Sequence, residues 1–122
     1  MAAGQVLVVE DNEKSMKLFR DLLQATGYTT LEAVSGEDAV ALALASPPDL
    51  ILMDVQLPGI DGVETLARLR REPRTASLPV LAVTAQAMHG ERERLLAAGF
   101  DDYLSKPVDV AELLALVRRY VI

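Results

Sequence analysis

Apolar runs alternate with amphipathic stretches along the whole chain. Three runs are continuously apolar, at residues 6–9, 50–53 and 78–83, which is typical of strands buried on both faces of a sheet. A weaker alternation over residues 28–33 predicts an outer strand, and residues 101–105 predict a fifth strand. The runs at 50–53 and 78–83 contain the fewest polar residues, so we expect them at the centre of the sheet.

Between these runs, apolar residues recur with the spacing of amphipathic helices. Helices are predicted over residues 13–25, from about 36 to 45, after Asp61, over about 88–98, and after Asp109. Ser35 and Asp38 have the spacing of a capping box at the second helix. In the third helix, the arginines at three positions are predicted to face water: Arg68, Arg70 and Arg71.

The pattern therefore contains five strand–helix units, with no linker, repeat or low-complexity segment between them. Strands that alternate with helices indicate an α/β domain, in which a parallel sheet is covered by helices on both faces. Right-handed crossovers then leave only a few topologies. We expect one domain spanning residues 1–122.

Composition narrows the classes of function. The chain carries a net charge of −6, which argues against a direct nucleic-acid partner, because phosphate contacts need clustered basic residues. It has no cysteine and one histidine, which excludes disulfides, Cys/His zinc sites and thiol nucleophiles. No stretch approaches the about 20 apolar residues of a membrane span, and residues 1–4 do not form a signal peptide. A cytoplasmic protein without membrane insertion is the expectation.

Chemistry-bearing residues stand at the ends of four predicted strands: Glu10 with Asp11, Asp54, Thr84 and Lys106. In a parallel sheet these ends share one edge, so the side chains should converge there. Three close carboxylates repel one another, and a hard cation such as Mg²⁺ would relieve that repulsion. Carboxylates also form acyl-phosphates, so Asp54 is the candidate nucleophile for a phosphoryl group, stabilised by Lys106 and the Thr84 hydroxyl.

Simpler interpretations exist for each residue taken alone. Asp11 or Asn12 would serve as a helix cap. An isolated Asp54 would be a helix cap or a solvated loop residue, and an isolated Thr84 would be structural. Lys106 is more informative, because the chain uses nine arginines but only three lysines, and a point charge does not replace a guanidinium fork. The combination of all five strand-end residues favours the phosphoryl site.

Four motifs resemble the receiver domains of bacterial two-component response regulators. They are Val-Val-Glu-Asp-Asn at 8–12, Leu-Met-Asp-Val-Gln-Leu-Pro-Gly-Ile-Asp-Gly at 52–62, Val-Thr-Ala at 83–85, and Ala-Gly-Phe-Asp-Asp-Tyr-Leu-Ser-Lys-Pro at 98–107. The resemblance covers essentially the whole chain. It implies a single receiver domain, with a doubly wound five-stranded parallel sheet in the order 2-1-3-4-5 and five helices on both faces. Asn12, residues 16–19 and Gln56 resemble a single-domain cell-division regulator of this family.

The resemblance implies a phosphoacceptor and a metal site. Asp54 would accept a phosphoryl group from a phosphohistidine on a histidine kinase or a histidine phosphotransfer protein. Glu10 and Asp11 would hold Mg²⁺ together with Asp54 and the backbone carbonyl of Gln56, with Mn²⁺ as an alternative metal. Glu10 stands where many family members carry Asp, which puts the metal geometry rather than the role in question.

Further roles follow from the same resemblance. Lys106 and Thr84 would bind phosphoryl oxygens, and Ala85 would stay small so that the phosphoryl group can enter. Tyr103 would turn inward as Thr84 moves, and the bond before Pro107 would be cis. Partners would then read the face formed by the fourth helix, fifth strand and fifth helix, as a monomer or as a weak phosphorylation-dependent dimer.

Some surface residues carry hypotheses beyond the motifs. An exposed Leu18, with Ser15 and Asn12, would dock the phosphodonor protein. Leu18 is equally well interpreted as a partly buried packing residue. Two glutamines flank the phosphoryl site and would set its hydrolysis: Gln56 and Gln86. Met88 and Arg92 would lie on the output surface, with His89 a solvated residue.

The implied activity is a signalling switch that catalyses only its own phosphorylation and dephosphorylation, so we expect no enzyme with an external substrate. One alternative is a phosphatase of the haloacid-dehalogenase type, which needs a second acid where this chain has Gln56. Another is a flavodoxin-like cofactor carrier, which needs a Gly- and Ser-rich loop where this chain has Glu10, Asp11 and Asn12. A third is a receiver fold that serves as an unphosphorylated scaffold. We expect a complete single-domain protein rather than a receiver cut from a longer chain.

Overall fold

The computed structural model describes residues 4–85 and 90–121 as five strands that alternate with five helices. The strands are β1 (Gln5–Val9), β2 (Thr29–Ala33), β3 (Leu50–Asp54), β4 (Val80–Thr84) and β5 (Asp102–Ser105). The helices are α1 (Glu13–Ala25), α2 (Gly36–Ala45), α3 (Gly62–Arg71), α4 (Glu91–Ala98) and α5 (Val110–Tyr120). The predicted alternation is confirmed, with α1 matching its predicted bounds.

All strand pairs are parallel, and the order β2-β1-β3-β4-β5 confirms the predicted topology. β3 lies in the middle, and β2 lies at one edge. The register of β1 on β3 pairs Val9 with Met53, so the residues that follow them, Glu10 and Asp54, end their strands at the same level. Parallel pairing therefore places both acids on one edge of the sheet.

The sheet separates two apolar layers. Side chains of one parity along β1 and β3 pack with α1 and α5, and those of the other parity pack with α2, α3 and α4. β3 and β4 are buried at every position, which is why they read as unbroken apolar runs. Because both strands are buried on both faces, they hold Asp54 and Thr84, their last residues, at the carboxyl edge of the sheet.

Side chains cap the amino ends of four helices: Asn12 caps α1, and α2, α3 and α5 are capped in the same way. The backbone N–H of Asp38 donates to Ser35, that of Glu64 donates to Asp61, and that of Glu112 donates to Asp109, at 2.9–3.1 Å. Such caps satisfy N–H groups that the helix leaves without partners. α4 begins at Glu91, after a capping glycine, Gly90, that contributes no side-chain hydrogen bond. The predicted start at Met88 lies outside the described residues, as do Gln86 and His89.

The prediction that Arg70 faces water is wrong. Its side chain donates to the carbonyl oxygens of Ala76, Leu78 and Gly99 and forms an ion pair with Asp101. Helical periodicity assigns a residue to one side of its helix, and it contains no information about the loops that a long guanidinium reaches.

The first turn of α3 presses against the end of β3. A β-carbon at Gly62 would lie 2.8 Å from the Val55 α-carbon and 2.9 Å from the Asp54 carbonyl oxygen, which are backbone atoms and cannot rotate away. We expect Gly62→Ala to lower the free energy of unfolding by about 1–3 kcal/mol through overpacking, measured by urea denaturation. If the clash displaces the Asp54 backbone, the phosphorylation that the sequence leads us to expect at Asp54 should also slow.

A second glycine variant is the control for this prediction. A β-carbon at Gly27 would meet nothing within 4 Å, but its φ of +103° disfavours any other residue. Gly27→Ala should therefore cost stability without changing phosphorylation. Equal phosphorylation rates in the two variants would contradict the proposed displacement at Asp54.

Candidate phosphoryl and metal site

Three carboxylates converge at the carboxyl edge of the sheet. One oxygen from each of Glu10, Asp11 and Asp54 lies within 4.8 Å of the others. Glu10 and Asp54 are buried, whereas Asp11 is exposed. The cluster therefore has two buried acids and one acid that is exposed to solvent. Their carboxylate oxygens are hard donor atoms, which fit a hard divalent cation.

Lys106 reaches into this cluster from the end of β5. Its Nζ lies 2.7 Å from Glu10 Oε1 and 3.3 Å from Asp54 Oδ2. The Lys106 backbone N–H also bonds to the Thr84 carbonyl at 2.8 Å, and the Lys106–Pro107 bond is cis. One ammonium thus contacts two of the three carboxylates, which leaves the cluster with a net negative charge.

Backbone N–H groups fix the two buried carboxylates. Gln56 N–H donates to Asp54 Oδ1 at 2.9 Å, and Asn12 N–H donates to Glu10 Oε2 at 3.2 Å. The Asn12 side chain meanwhile accepts from the N–H groups of Lys14 and Ser15 and caps α1. Of the two capping candidates, Asn12 is the cap. Asp11 is left to face the cluster.

Burial and charge shift the pKa values in this site. Burial raises the pKa of the Glu10 carboxyl above its usual range, and the neighbouring Asp54 acts in the same direction, against the hydrogen bond from Lys106. Burial acts to lower the pKa of the Lys106 ammonium, but its hydrogen bond to Glu10 and the charge of Asp54 raise that pKa overall. Lys106 therefore remains positively charged beside acids that repel one another.

The other predicted site residues take distinct positions. Thr84 is fully buried at the end of β4, and Ala85 and Gln56 are exposed at the rim. Tyr103 is half-buried and packs on the sheet face that carries α2, α3 and α4. Of the proposed flanking glutamines, the structure thus describes Gln56 alone.

Two clefts lie on either side of Leu18, whose side chain is 46% exposed. One has a volume of about 460 Å³ and is lined by Ser15, Leu18, Phe19, Lys106, Pro107 and Val108. The other has a volume of about 370 Å³ and is lined by Lys14, Lys17, Leu18, Asp21 and Leu22. The half-exposed Leu18 lines both clefts, and Lys106 connects the first cleft to the acidic cluster.

Sequence reasoning missed a buried acid, Glu91, at the first position of α4. Its carboxylate pairs with the exposed Arg94 one turn later. The i, i+3 spacing of opposite charges was a visible signal. Burial of the acid was not visible, because the charged sequence of this short helix has no clear apolar face.

Removing the exposed acid should relieve repulsion in the metal-free protein. We expect Asp11→Asn to raise the midpoint of thermal unfolding by about 2–4 °C in the presence of a chelator. The same change should weaken Mg²⁺ binding by about tenfold or more, because it removes a charged oxygen ligand. Calorimetry with and without Mg²⁺ measures both effects.

Asp38→Asn is the matched control, because Asp38 is exposed at the start of α2 and is outside the cluster. It should leave Mg²⁺ binding unchanged. If Asp11→Asn lowers thermal stability without the metal, repulsion within the cluster is not the dominant interaction there.

Comparison with known proteins identifies related sequences. Residues 6–118 match the family described as the response regulator receiver domain. The polar-differentiation response regulator DivK of Brucella ovis is 46% identical over 116 residues, which cover 95% of this chain and 94% of that protein. This similarity to DivK confirms the resemblance to a single-domain regulator that we predicted from Asn12, residues 16–19 and Gln56.

Solved structures agree with this assignment. A response regulator from Chloroflexus aurantiacus superposes with a TM-score of 0.92 at 35% identity, covering 97% of each chain. The receiver domain of a sensor histidine kinase from Pseudomonas aeruginosa superposes with a TM-score of 0.90 at 36% identity, covering 98% of each chain, and carries a magnesium ion in its active-site cleft. Among the described residues, no helix is long and apolar enough to cross a bilayer.

Proposed function

Because this chain belongs to the response regulator receiver domain family, whose members act in phosphorylation-dependent signalling, we propose that Asp54 accepts the phosphoryl group. The observation that carries the proposal is the convergence of Glu10, Asp11 and Lys106 on Asp54 at the end of the central strand. A solvated helix cap would not need an ammonium and two further acids in contact with it.

The chemical step follows from these contacts. An oxygen of the Asp54 carboxylate bonds to phosphorus, and the bond from phosphorus to the donor's imidazole nitrogen breaks, so that the nitrogen keeps the electron pair. The Gln56 N–H holds Asp54 Oδ1 and keeps the carboxylate oriented. Lys106 and the Thr84 hydroxyl donate hydrogen bonds to the transferred phosphoryl oxygens, and the small Ala85 leaves room for them.

The acidic cluster is the proposed Mg²⁺ site. Glu10, Asp11 and Asp54 would hold the ion together with the backbone carbonyl of Gln56, and Mn²⁺ would substitute for it. The bound ion would offset negative charge on the phosphoryl oxygens. The magnesium ion in the related receiver domain from Pseudomonas aeruginosa supports this choice of metal.

A histidine kinase or a histidine phosphotransfer protein is the proposed donor. It would dock with its helices in the two clefts beside Leu18 and would contact Ser15. Asn12, which caps α1, would lie at the edge of this docking surface. Because Lys106 lines one of these clefts, a donor seated there would deliver its phosphohistidine beside Asp54. The apolar exposure of Leu18 favours a protein surface over a small phosphodonor as its partner.

We expect Leu18→Asp to slow phosphotransfer from a phosphohistidine protein by about 10–100-fold, because a charge replaces an apolar anchor. Transfer from a small phosphodonor should keep its wild-type rate. Both rates are measured by intact-mass time courses. Ala97→Asp is the control, since Ala97 is an exposed apolar residue on α4 that lines neither these clefts nor the pocket at Glu10 and Asp11. Equal loss with both donors would contradict a docking role.

Phosphorylation would shift the protein between two conformations. Thr84 would turn towards the phosphoryl group, and the half-buried Tyr103 would move inward in the space that Thr84 leaves. The face formed by α4, β5 and α5 would then present a changed surface to a downstream protein. The residues at the edge of this face, including Arg92, are exposed and accessible to such a partner.

The test of the proposed function is direct. The purified protein is incubated with a small phosphodonor, with Mg²⁺ or with a chelator, and its intact mass is followed. We expect the mass of one phosphoryl group to appear only with the metal. A mass that remains unchanged with both Mg²⁺ and phosphodonor would overturn the proposal.

A further inference from the structure

The two ends of α4 are held in different ways. At its carboxyl end, Gly99 adopts a φ of +113° and its N–H bonds to the carbonyls of Leu95 and Leu96. The Phe100 N–H also bonds to the Leu95 carbonyl, and both side chains are buried. At its amino end, Gly90 supplies no side-chain cap. The carboxyl end is therefore fixed by backbone hydrogen bonds and by the burial of Leu95 and Phe100.

The side chain of Arg70 also holds the carboxyl end of α4 through hydrogen bonds. Its Nη2 donates to the Gly99 carbonyl and to Asp101 Oδ2, both at 3.1 Å. Its Nη1 donates to the carbonyls of Ala76 and Leu78 at 3.1 and 2.6 Å. A planar guanidinium with several fixed donors is suited to joining four acceptors, and a lysine ammonium would not match this geometry.

Asp101 extends these contacts into the sheet. Its Oδ2 also accepts from the Val80 N–H at 2.8 Å, and its own N–H donates to the Val80 carbonyl. The hydroxyl of Tyr120 on α5 donates to the Asp101 carbonyl at 3.2 Å. Arg70, Gly99 and Asp101, here called the Arg70 clasp, thus connect α3, the first residue of β4, the end of α4, the start of β5 and α5.

The Arg70 clasp lies at the end of β4 opposite to the phosphoryl site. β4 begins at Val80, whose N–H bonds to Asp101, and ends at Thr84, at the carboxyl edge of the sheet that also carries the acidic cluster, and it is buried throughout. A rearrangement at the Thr84 end therefore reaches α4 at its amino end first. The clasp keeps the carboxyl end of α4 and residues 99–101 in place.

We propose that the Arg70 clasp is the pivot of α4, so that the phosphorylation switch moves the amino-terminal turn of this helix while residues 99–101 stay fixed. This inference rests on the proposed function of Asp54. Arg70 is a positioning residue in it, because it touches neither the carboxylates nor the phosphoryl group. Its contribution is to confine the conformational change to one end of α4.

Two measurements on Arg70→Ala test the pivot. Hydrogen exchange should show the amides of residues 99–101 exchanging about tenfold faster than in the wild-type protein, without any phosphodonor. NMR with beryllofluoride and Mg²⁺ as the phosphoryl analogue should show that, from residue 91 to residue 101, the chemical-shift changes of the wild-type protein are concentrated at residues 91–94. In Arg70→Ala the changes should spread through residues 96–101.

Two control variants separate the pivot from ordinary loss of stability. Arg68→Ala removes an arginine of the same helix whose ion pair is with Glu64 in that helix. Ala43→Gly destabilises the buried face of α2, away from the clasp. Both should retain the wild-type confinement of the shifts. If either control reproduces the Arg70→Ala pattern, or if Arg70→Ala matches the wild-type protein, the pivot is overturned.

Failure of the proposed function would have a separate signature. A wild-type protein whose spectrum and mass are both unchanged by the analogue and by phosphodonor would refute phosphorylation itself, and the pivot with it. A wild-type protein that is phosphorylated normally but whose analogue-induced shifts already extend through residues 99–101 would refute the pivot alone.

Discussion

Asp54→Asn should abolish phosphorylation, with a rate at least about 10³-fold below that of the wild-type protein. A neutral amide oxygen is a poor nucleophile towards phosphorus, and the change also removes one charged oxygen from the proposed metal site. The fold should survive, because the asparagine oxygen can still accept the Gln56 N–H that Asp54 Oδ1 accepts. An intact-mass time course with phosphodonor and Mg²⁺ measures the loss.

Asp49→Asn is the control for this prediction. Asp49 immediately precedes the same strand, at the opposite edge of the sheet, and its carboxylate accepts the Gln5 N–H at 2.8 Å. The amide oxygen can keep that bond, so phosphorylation should proceed at the wild-type rate. An Asp54→Asn protein that gains a phosphoryl group as fast as this control would show that another residue is the acceptor.

Lys106→Met should lower the phosphorylation rate by about 10²–10³-fold while leaving Mg²⁺ binding intact or stronger. The rate falls because the ammonium no longer stabilises charge on the transferred phosphoryl oxygens. Metal binding does not fall, because the ammonium lies 2.7 Å from Glu10 and 3.3 Å from Asp54 and repels a cation in the cluster. Mass time courses and Mg²⁺ titration measure the two quantities on one sample.

The opposite directions of these two effects are diagnostic. Lys17→Met, which removes an exposed lysine paired with Asp21 on α1, should change neither the small-donor phosphorylation rate nor Mg²⁺ affinity. A Lys106→Met protein that loses Mg²⁺ binding would have a disrupted site, and that result would contradict the proposed role. An unchanged phosphorylation rate would exclude Lys106 from the chemistry.

The acidic cluster was predictable from sequence for a topological reason. Strand ends are visible where an apolar run stops, and a parallel sheet brings every such end to one edge, so Glu10, Asp54 and Lys106 could be placed together without coordinates. The edge position of β2 was equally visible, because its apolar and polar residues alternate. Both inferences depend on local pattern and a general rule of topology.

The Arg70 clasp was beyond such reasoning. Periodicity placed Arg70 on the water-facing side of α3, and its four acceptors belong to loops and strand starts that no pattern positions. The burial of Glu91 was hidden for a related reason, since α4 is short and mostly charged. Long side chains that cross between elements carry structural information that one-dimensional spacing does not contain.

The ion pair between Lys106 and Glu10 joins positions that are 96 residues apart. During synthesis, a chain of residues 1–105 still lacks Lys106, whose ammonium pairs with Glu10 after β1 and with Asp54 at the end of β3. A nascent chain that has not yet reached Lys106 therefore lacks a complete site, and its Asp54 should be phosphorylated only slowly. We therefore expect the proposed switch to become competent only when β5 joins the sheet.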